Sequence, residues 1–147
     1  MKTDRGFSLL ELLIVVGIIL IIATIAIPTL LRSRQAANES AAVADLRTIN
    51  TSEANYLLSS DGNYGAMSDL VSAGLIDAQF NSVVSGYSFT ISNSGTNYTG
   101  SAYPTSTNSG RYGYYTLPDN VIRYDNASGA ANCTPCYPTG LSGNGVD

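Results

Sequence analysis

Residues 5–31 read RGFSLLELLIVVGIILIIATIAIPTLL, and this stretch decides the fold. From Phe7 to Leu31 it is almost wholly apolar, and Glu11 is the only charged residue within it. A helix of about 25 residues, at 1.5 Å per residue, spans roughly 37 Å and exceeds the roughly 30 Å of a hydrocarbon core. Because a charge on a membrane-spanning helix is costly, Glu11 needs either a partner or a function.

Two ordinary interpretations of this segment explain it only in part. A secretory signal peptide has an apolar core of about 7–15 residues followed by a small-residue cleavage site. The apolar core here is longer than that. A plain single-pass anchor accounts for the length but leaves Glu11 without a role.

A third interpretation uses all of these features together. The run Arg5-Gly6-Phe7-Ser8-Leu9-Leu10-Glu11 resembles the N-terminal cleavage and methylation signature of type IV pilins and pseudopilins. The resemblance implies that a prepilin peptidase cuts after Gly6, that the new terminal residue Phe7 is N-methylated, and that Glu11 serves subunit assembly. It also places Pro28 where helices of this family commonly carry a kink.

The chemistry of the cleaved terminus is consistent with that assignment. An α-amino group has a reference pKa near 8, so the Phe7 amine is mostly cationic at neutral pH. Glu11 lies in the first turns of the mature helix, near the positive end of its dipole. Its carboxylate can pair with the Phe7 amine of a neighbouring subunit in a staggered bundle, or with the amine of its own helix, and both arrangements remain open.

The rest of the chain predicts an α+β fold, with a long N-terminal helix packed against a small antiparallel sheet of about three or four strands. No Gly or Pro occurs from Arg32 to Ser60, so one helix is expected from about Phe7 to Ser60. Its second half carries one stripe of residues at helical spacing, in which Glu53 is the exception: Ala42, Leu46, Ile49, Glu53 and Tyr56. The predicted segments are a leader (1–6), an apolar membrane and assembly helix (7–31), an amphipathic half (32–60) and an α+β head (61–147).

Within the head, Met67–Gly74 predicts a short helix that Gly74 ends. Strands are indicated by alternation at Tyr87, Phe89 and Ile91. The further strand candidates are Tyr98–Tyr103, Arg111–Leu117 and Asn120–Tyr124. The many tyrosines are explained by β-propensity, with Tyr112, Tyr114 and Tyr115 expected to alternate between core and surface.

Cys133 and Cys136 allow three interpretations. A thioredoxin-like redox motif requires a following helix, whereas Tyr137-Pro138-Thr139-Gly140 follows here. A zinc site requires two more ligands, and the chain contains no histidine and no other cysteine. A structural disulfide that closes a short C-terminal loop is therefore favoured over both.

Composition limits the remaining function classes. The absence of histidine removes the commonest general base and the commonest zinc ligand, so we expect no enzyme, no cofactor and no metal site. The net charge of −4 argues against a nucleic-acid partner, because nucleic-acid binders normally show a basic patch.

The resemblance implies a structural subunit of a type IV pilus. Its expected partners are other copies of itself in a helical filament, the prepilin peptidase, an assembly ATPase, inner-membrane platform proteins and the membrane. The subunit would span the inner membrane once before assembly and then become part of an extracellular pilus. The alternatives are a major pseudopilin of a type II secretion system, which would form a periplasmic pseudopilus, and, from other classes, a membrane-anchored thiol-redox protein or a DNA-uptake binding protein.

Overall fold

The computed structural model describes residues 7–126 and 144–146 of the 147-residue chain. The chain forms two compact units, Met1–Ser33 and Arg34–Asp147. Among the described residues, one helix contains a stretch that is long and apolar enough to cross a membrane, judged by length and composition.

That helix, α1, runs from Leu9 to Ser59 without interruption, which confirms the long predicted helix. In the first unit its large apolar side chains are exposed to solvent. In the second unit one face is buried, and Ala42, Leu46 and Ile49 are completely inaccessible to water. The helical stripe read from the sequence is therefore the face that packs into the core of the second unit.

Two short helices follow α1. Helix α2, Met67–Ser72, lies within the predicted segment, and Gly74 just beyond it has a φ of 68°, a conformation that glycine adopts without strain. A 3-10 helix, Ala78–Asn81, comes next and was not predicted. Its signal in the sequence is Asp77, whose carboxylate accepts a hydrogen bond from the backbone N–H of Gln79 at 2.9 Å.

The sheet is a simple antiparallel meander, with strands in the order β1-β2-β3-β4-β5. Four substantial strands confirm the α+β prediction, and a fifth of two residues completes the edge: β1 Tyr87–Asn93, β2 Tyr98–Pro104, β3 Tyr112–Thr116, β4 Ile122–Asn126 and β5 Asn144–Gly145. Strand β4 begins two residues later than predicted, because Asn120 has a φ of 59° and belongs to the turn before the strand.

Tyrosines contribute much of the core. Tyr87, Tyr98 and Tyr114 are buried on the face of the sheet that carries Phe89 and Ala102. Tyr115 points to the opposite face, yet it is only 1% exposed. The expected alternation of the β3 tyrosines between core and surface is therefore wrong at Tyr115, because both faces of the sheet are covered at this position.

Candidate functional site

The candidate site begins at the first turn of α1. Ser8 immediately precedes the helix, and the Glu11 carboxylate accepts a hydrogen bond from the Ser8 backbone N–H at 3.0 Å. The Ser8 carbonyl in turn accepts the Leu12 N–H, which is the first helical hydrogen bond. Glu11 thus reaches back to cap the helix, as the third helical residue does in a capping box. Sequence reasoning missed this contact, although the spacing Ser-x-x-Glu at residues 8–11 is its signal.

This geometry describes the chain before any cleavage. Phe7 is 85% exposed and is joined to Gly6 by a peptide bond, so its nitrogen is an amide here. Gly6 and the remainder of the leader lie outside the described residues, as do Cys133 and Cys136, so their predicted roles remain predictions. What the structure adds is that the Glu11 carboxylate is accessible and lies next to the predicted new terminus.

The apolar side chains that follow Glu11 form an uncovered surface within the first unit. Leu9 is 83% exposed, and Ile21 and Ile25 are 66% and 69% exposed. A surface of this size and apolarity on a helix needs lipid or another protein surface to cover it.

Pro28 lies inside α1, which continues through it. Because proline has no N–H, the Thr24 carbonyl loses its usual helical donor. Hydroxyl groups close to this point bond to backbone carbonyls, with Thr24 donating to Ile21 at 2.8 Å and Thr29 donating to Ile25 at 3.0 Å. Such side-chain bonds often accompany helix bending, so the predicted kink at Pro28 remains a reasonable proposal.

In the second unit, three polar side chains of α1 hold the loop between β2 and β3. Gln35 donates to the Thr107 carbonyl at 2.7 Å, and Asn38 donates to the Ser109 carbonyl at 2.9 Å. Glu39 forms a two-point ion pair with Arg111 and also accepts the Arg111 backbone N–H at 2.7 Å. We call these contacts the loop clamp. They join residues 71 or 72 positions apart, and no local pattern in the sequence indicates them.

Glu53, the exception in the helical stripe, is completely buried. Its Oε2 atom accepts the Gly65 N–H at 3.0 Å, whereas its Oε1 atom has no hydrogen-bond partner. Burial away from water raises the pKa of this carboxyl, the Gly65 N–H lowers it, and the charge of Asp69 raises it further. Glu53 therefore fixes the segment after α1 at the cost of one unsatisfied buried oxygen.

Comparison with known proteins identifies the N-terminal segment. Residues 1–27 match the family model described as the prokaryotic N-terminal methylation motif. The chain therefore carries an N-terminal methylation motif. The match includes Gly6, Phe7 and Glu11, and it confirms the resemblance read from the sequence.

The methylation motif is accompanied by similarity to a pilus component. Over 75 residues the chain is 36% identical to the type IV wide pilus major component PilA4 of Thermus thermophilus. The aligned region is 51% of this chain and 57% of that protein. The chain thus spans little more than half the length of this relative.

Proposed function

We propose that this protein is a structural subunit of a type IV pilus, cut between Gly6 and Phe7, N-methylated on Phe7 and polymerised from the inner membrane. One observation carries the proposal: a single segment combines an uncovered apolar helix, an accessible carboxylate in its first turn and a methylation motif. The leader peptidase, an assembly ATPase and platform proteins of the inner membrane are the partners that this role requires.

Cleavage changes the chemistry around Glu11 in a defined way. In the uncut chain its carboxylate accepts an amide N–H one residue beyond the cut site. Cutting converts the Phe7 amide into an amine that is mostly cationic at neutral pH and stays so after methylation. A carboxylate in apolar surroundings costs several kcal/mol unless it is paired. In the membrane, the Phe7 amine of an adjoining subunit therefore supplies the positive charge that Glu11 needs.

The apolar surface then has two successive environments. Before assembly lipid covers it, since the helix is long enough to cross the bilayer. In the filament other copies of the same segment cover it. The similarity to a pilus major component favours a pilus over the pseudopilus of a secretion system.

Intact mass of protein sheared from the cell surface tests the processing. We expect a species that begins at Phe7 and carries one added methyl group. An uncut chain that begins at Met1 would contradict the proposal. Loss of protein secretion on deletion, without filaments outside the cell, would instead indicate the pseudopilin alternative.

The Glu11→Ala variant separates assembly from anchoring. We expect it to be inserted and cut normally while filament yield falls to near zero, because the unpaired Phe7 amine remains in the apolar bundle. The Glu11→Gln variant keeps the size and the hydrogen-bonding oxygen but removes the charge, so it shows whether charge is the property that matters. Normal filament yield from both variants would exclude the charge-pairing mechanism.

A further inference from the structure

A polar groove lies in the second unit beside the middle of α1. Arg47, Asn50, Thr51 and Ala54 line it from the helix, and Asn120 lines it from the turn between β3 and β4. The guanidinium and the two side-chain amides supply N–H donors, whereas the Thr51 hydroxyl already donates to the Arg47 backbone carbonyl at 3.0 Å. The groove is therefore suited to an acceptor that carries negative charge.

Asn50 gives this groove a fixed donor. Its residue is only 6% exposed, and its Oδ1 atom accepts a hydrogen bond from the buried Tyr98 hydroxyl at 2.9 Å. Burial raises the pKa of Tyr98, so the hydroxyl keeps its proton and remains the donor. Because Tyr98 occupies the oxygen of the amide, the Nδ2 group is the part of Asn50 left to donate in the groove that this residue lines, and no described residue accepts from it.

Arg47 is the free cation of the groove. Among the described residues, Arg111 pairs with Glu39 and Arg123 pairs with Asp119, whereas Arg47 is exposed and has no acidic partner. A guanidinium beside a fixed amide donor presents several N–H groups to one oxyanion, which is the arrangement that holds a carboxylate at two points.

The same unit also carries a free, exposed carboxylate. Asp61 lies in the turn directly after α1, with a φ of 53°, and its side chain has no hydrogen bond within the described chain. Each of the other carboxylates of this unit whose side chains the structure describes is bonded, capping or partly to fully buried: Glu39, Asp45, Glu53, Asp69, Asp77 and Asp119. Among these described side chains, Asp61 is the exposed carboxylate that makes no hydrogen bond and can meet a partner.

Arg47 and Asp61 cannot pair within one copy. Fourteen residues at the rise of a helix separate them by about 20 Å along α1, which is beyond the combined reach of the two side chains. A contact in which one surface of a subunit meets a different surface of the next generates an open polymer when the rotation between copies does not close a ring.

We propose that the groove around Arg47 binds the Asp61 carboxylate of a second copy of this chain. This inference rests on the proposed function, because it needs copies held together in a polymer. It assigns to the second unit a contact between subunits that is separate from the apolar segment and from Glu11. Helical polymers give each copy several neighbours at different axial offsets, so the two kinds of contact can involve different neighbours.

Charge reversal on the full-length chain tests the pair. We expect Arg47→Asp and Asp61→Arg each to lower filament yield about tenfold, since attraction is replaced by repulsion at every such contact. Asp61→Asn, which suits the positive φ, is expected to lower the yield about threefold. The double variant R47D/D61R restores the pair in reverse, and its yield should return to within about twofold of the original chain.

Mixing the two single variants gives a sharper readout. R47D copies carry two acids and D61R copies carry two bases, so each alone assembles poorly, but the mixture should form filaments that contain both in equal amounts. A purely structural effect of either substitution would not be relieved by mixing. Equal melting temperatures for the variants confirm that folding is intact, and Asp61→Asn keeps the test valid if the arginine at a positive φ destabilises the turn.

The control adds an arginine at the wrong place, and this arginine returns one of the two units of positive charge that R47D removes. Asn108 is exposed in the β2–β3 loop, and R47D/N108R places the compensating arginine there instead of at residue 61. It should remain as defective as R47D alone. Single variants that assemble normally, or a double variant and mixture that stay defective, would overturn the inference while leaving the filament role intact. Absence of filaments from the unaltered chain would instead refute the proposed function, and the inference would fall with it.

Discussion

Replacing Glu53 by Gln should make the second unit more stable at neutral and alkaline pH. Glu53 is completely buried, and one of its two oxygens has no hydrogen-bond partner. Glutamine has nearly the same shape and can still accept the Gly65 N–H, which Glu53 accepts at 3.0 Å. The substitution therefore removes an ionisable group while retaining its contact with the chain.

The sign of the pH effect on stability follows from the direction in which folding shifts the pKa of Glu53. Burial raises the pKa of the Glu53 carboxyl in the folded protein, so folding favours its neutral form. The stabilisation from proton binding is fully present below the unfolded pKa, near 4.3, and is lost as the pH rises through the folded pKa. A pKa that folding raises by one pH unit makes about 1.4 kcal/mol of the stability dependent on pH.

The expected size of the effect is modest because glutamine places an amide where the unpaired oxygen was. An unsatisfied buried polar group costs about 1–3 kcal/mol, and part of this cost remains in the variant. We expect E53Q to gain about 1 kcal/mol at pH 8, or about 4 °C in melting temperature, and to gain nothing at pH 4.

Thermal unfolding of the full-length protein in detergent, followed by circular dichroism between pH 4 and pH 9, measures this effect. The matched control is E39Q, on the same helix, where Glu39 binds both the side chain and the backbone of Arg111. Because those donors lose a charged acceptor, E39Q should lose about 1–2 kcal/mol at pH 8. If E53Q is less stable than the original chain at pH 8, or retains its decline with rising pH, the reasoning is wrong.

Three further predictions concern packing and the loop clamp. G110A should lose about 1–3 kcal/mol, because an added methyl group would overlap the Tyr87 hydroxyl oxygen; urea unfolding measures this, and adding Tyr87→Phe should recover part of the loss. Y98F should lose about 1 kcal/mol in the same assay, since the hydroxyl that donates to Asn50 is removed. N38A should release the β2–β3 loop without unfolding the sheet, and hydrogen exchange should then speed up in the loop and remain slow in β2, whereas uniform protection would contradict a clamping role.

Much of the fold was predictable because its signals are local. The absence of Gly and Pro from Arg32 to Ser60 indicated one helix, and the alternation at Tyr87, Phe89 and Ile91 indicated β1. The family signature at the N-terminus is also a local pattern of residue types in fixed order. The capping contact between Ser8 and Glu11 was equally local and could have been found from its spacing.

The contacts that could not be predicted join distant parts of the chain. Glu39 was not part of the apolar stripe, and its partner Arg111 is 72 residues away, so the sequence contains no spacing that would link them. Glu53 could be recognised as unusual, but not as an acceptor for Gly65, because that depends on the path of the turn after α1. The burial of Tyr115 likewise depends on what covers the second face of the sheet.

The loop clamp has a consequence for biosynthesis. The α1 residues of the loop clamp leave the ribosome about 70 residues before the β2–β3 loop that they bind. Gln35 and Glu39 must therefore stay hydrated until Arg111 has been made. Closing so long a loop is slow compared with forming the helix itself. The second unit consequently completes its ordered structure only after the whole of α1 has been synthesised.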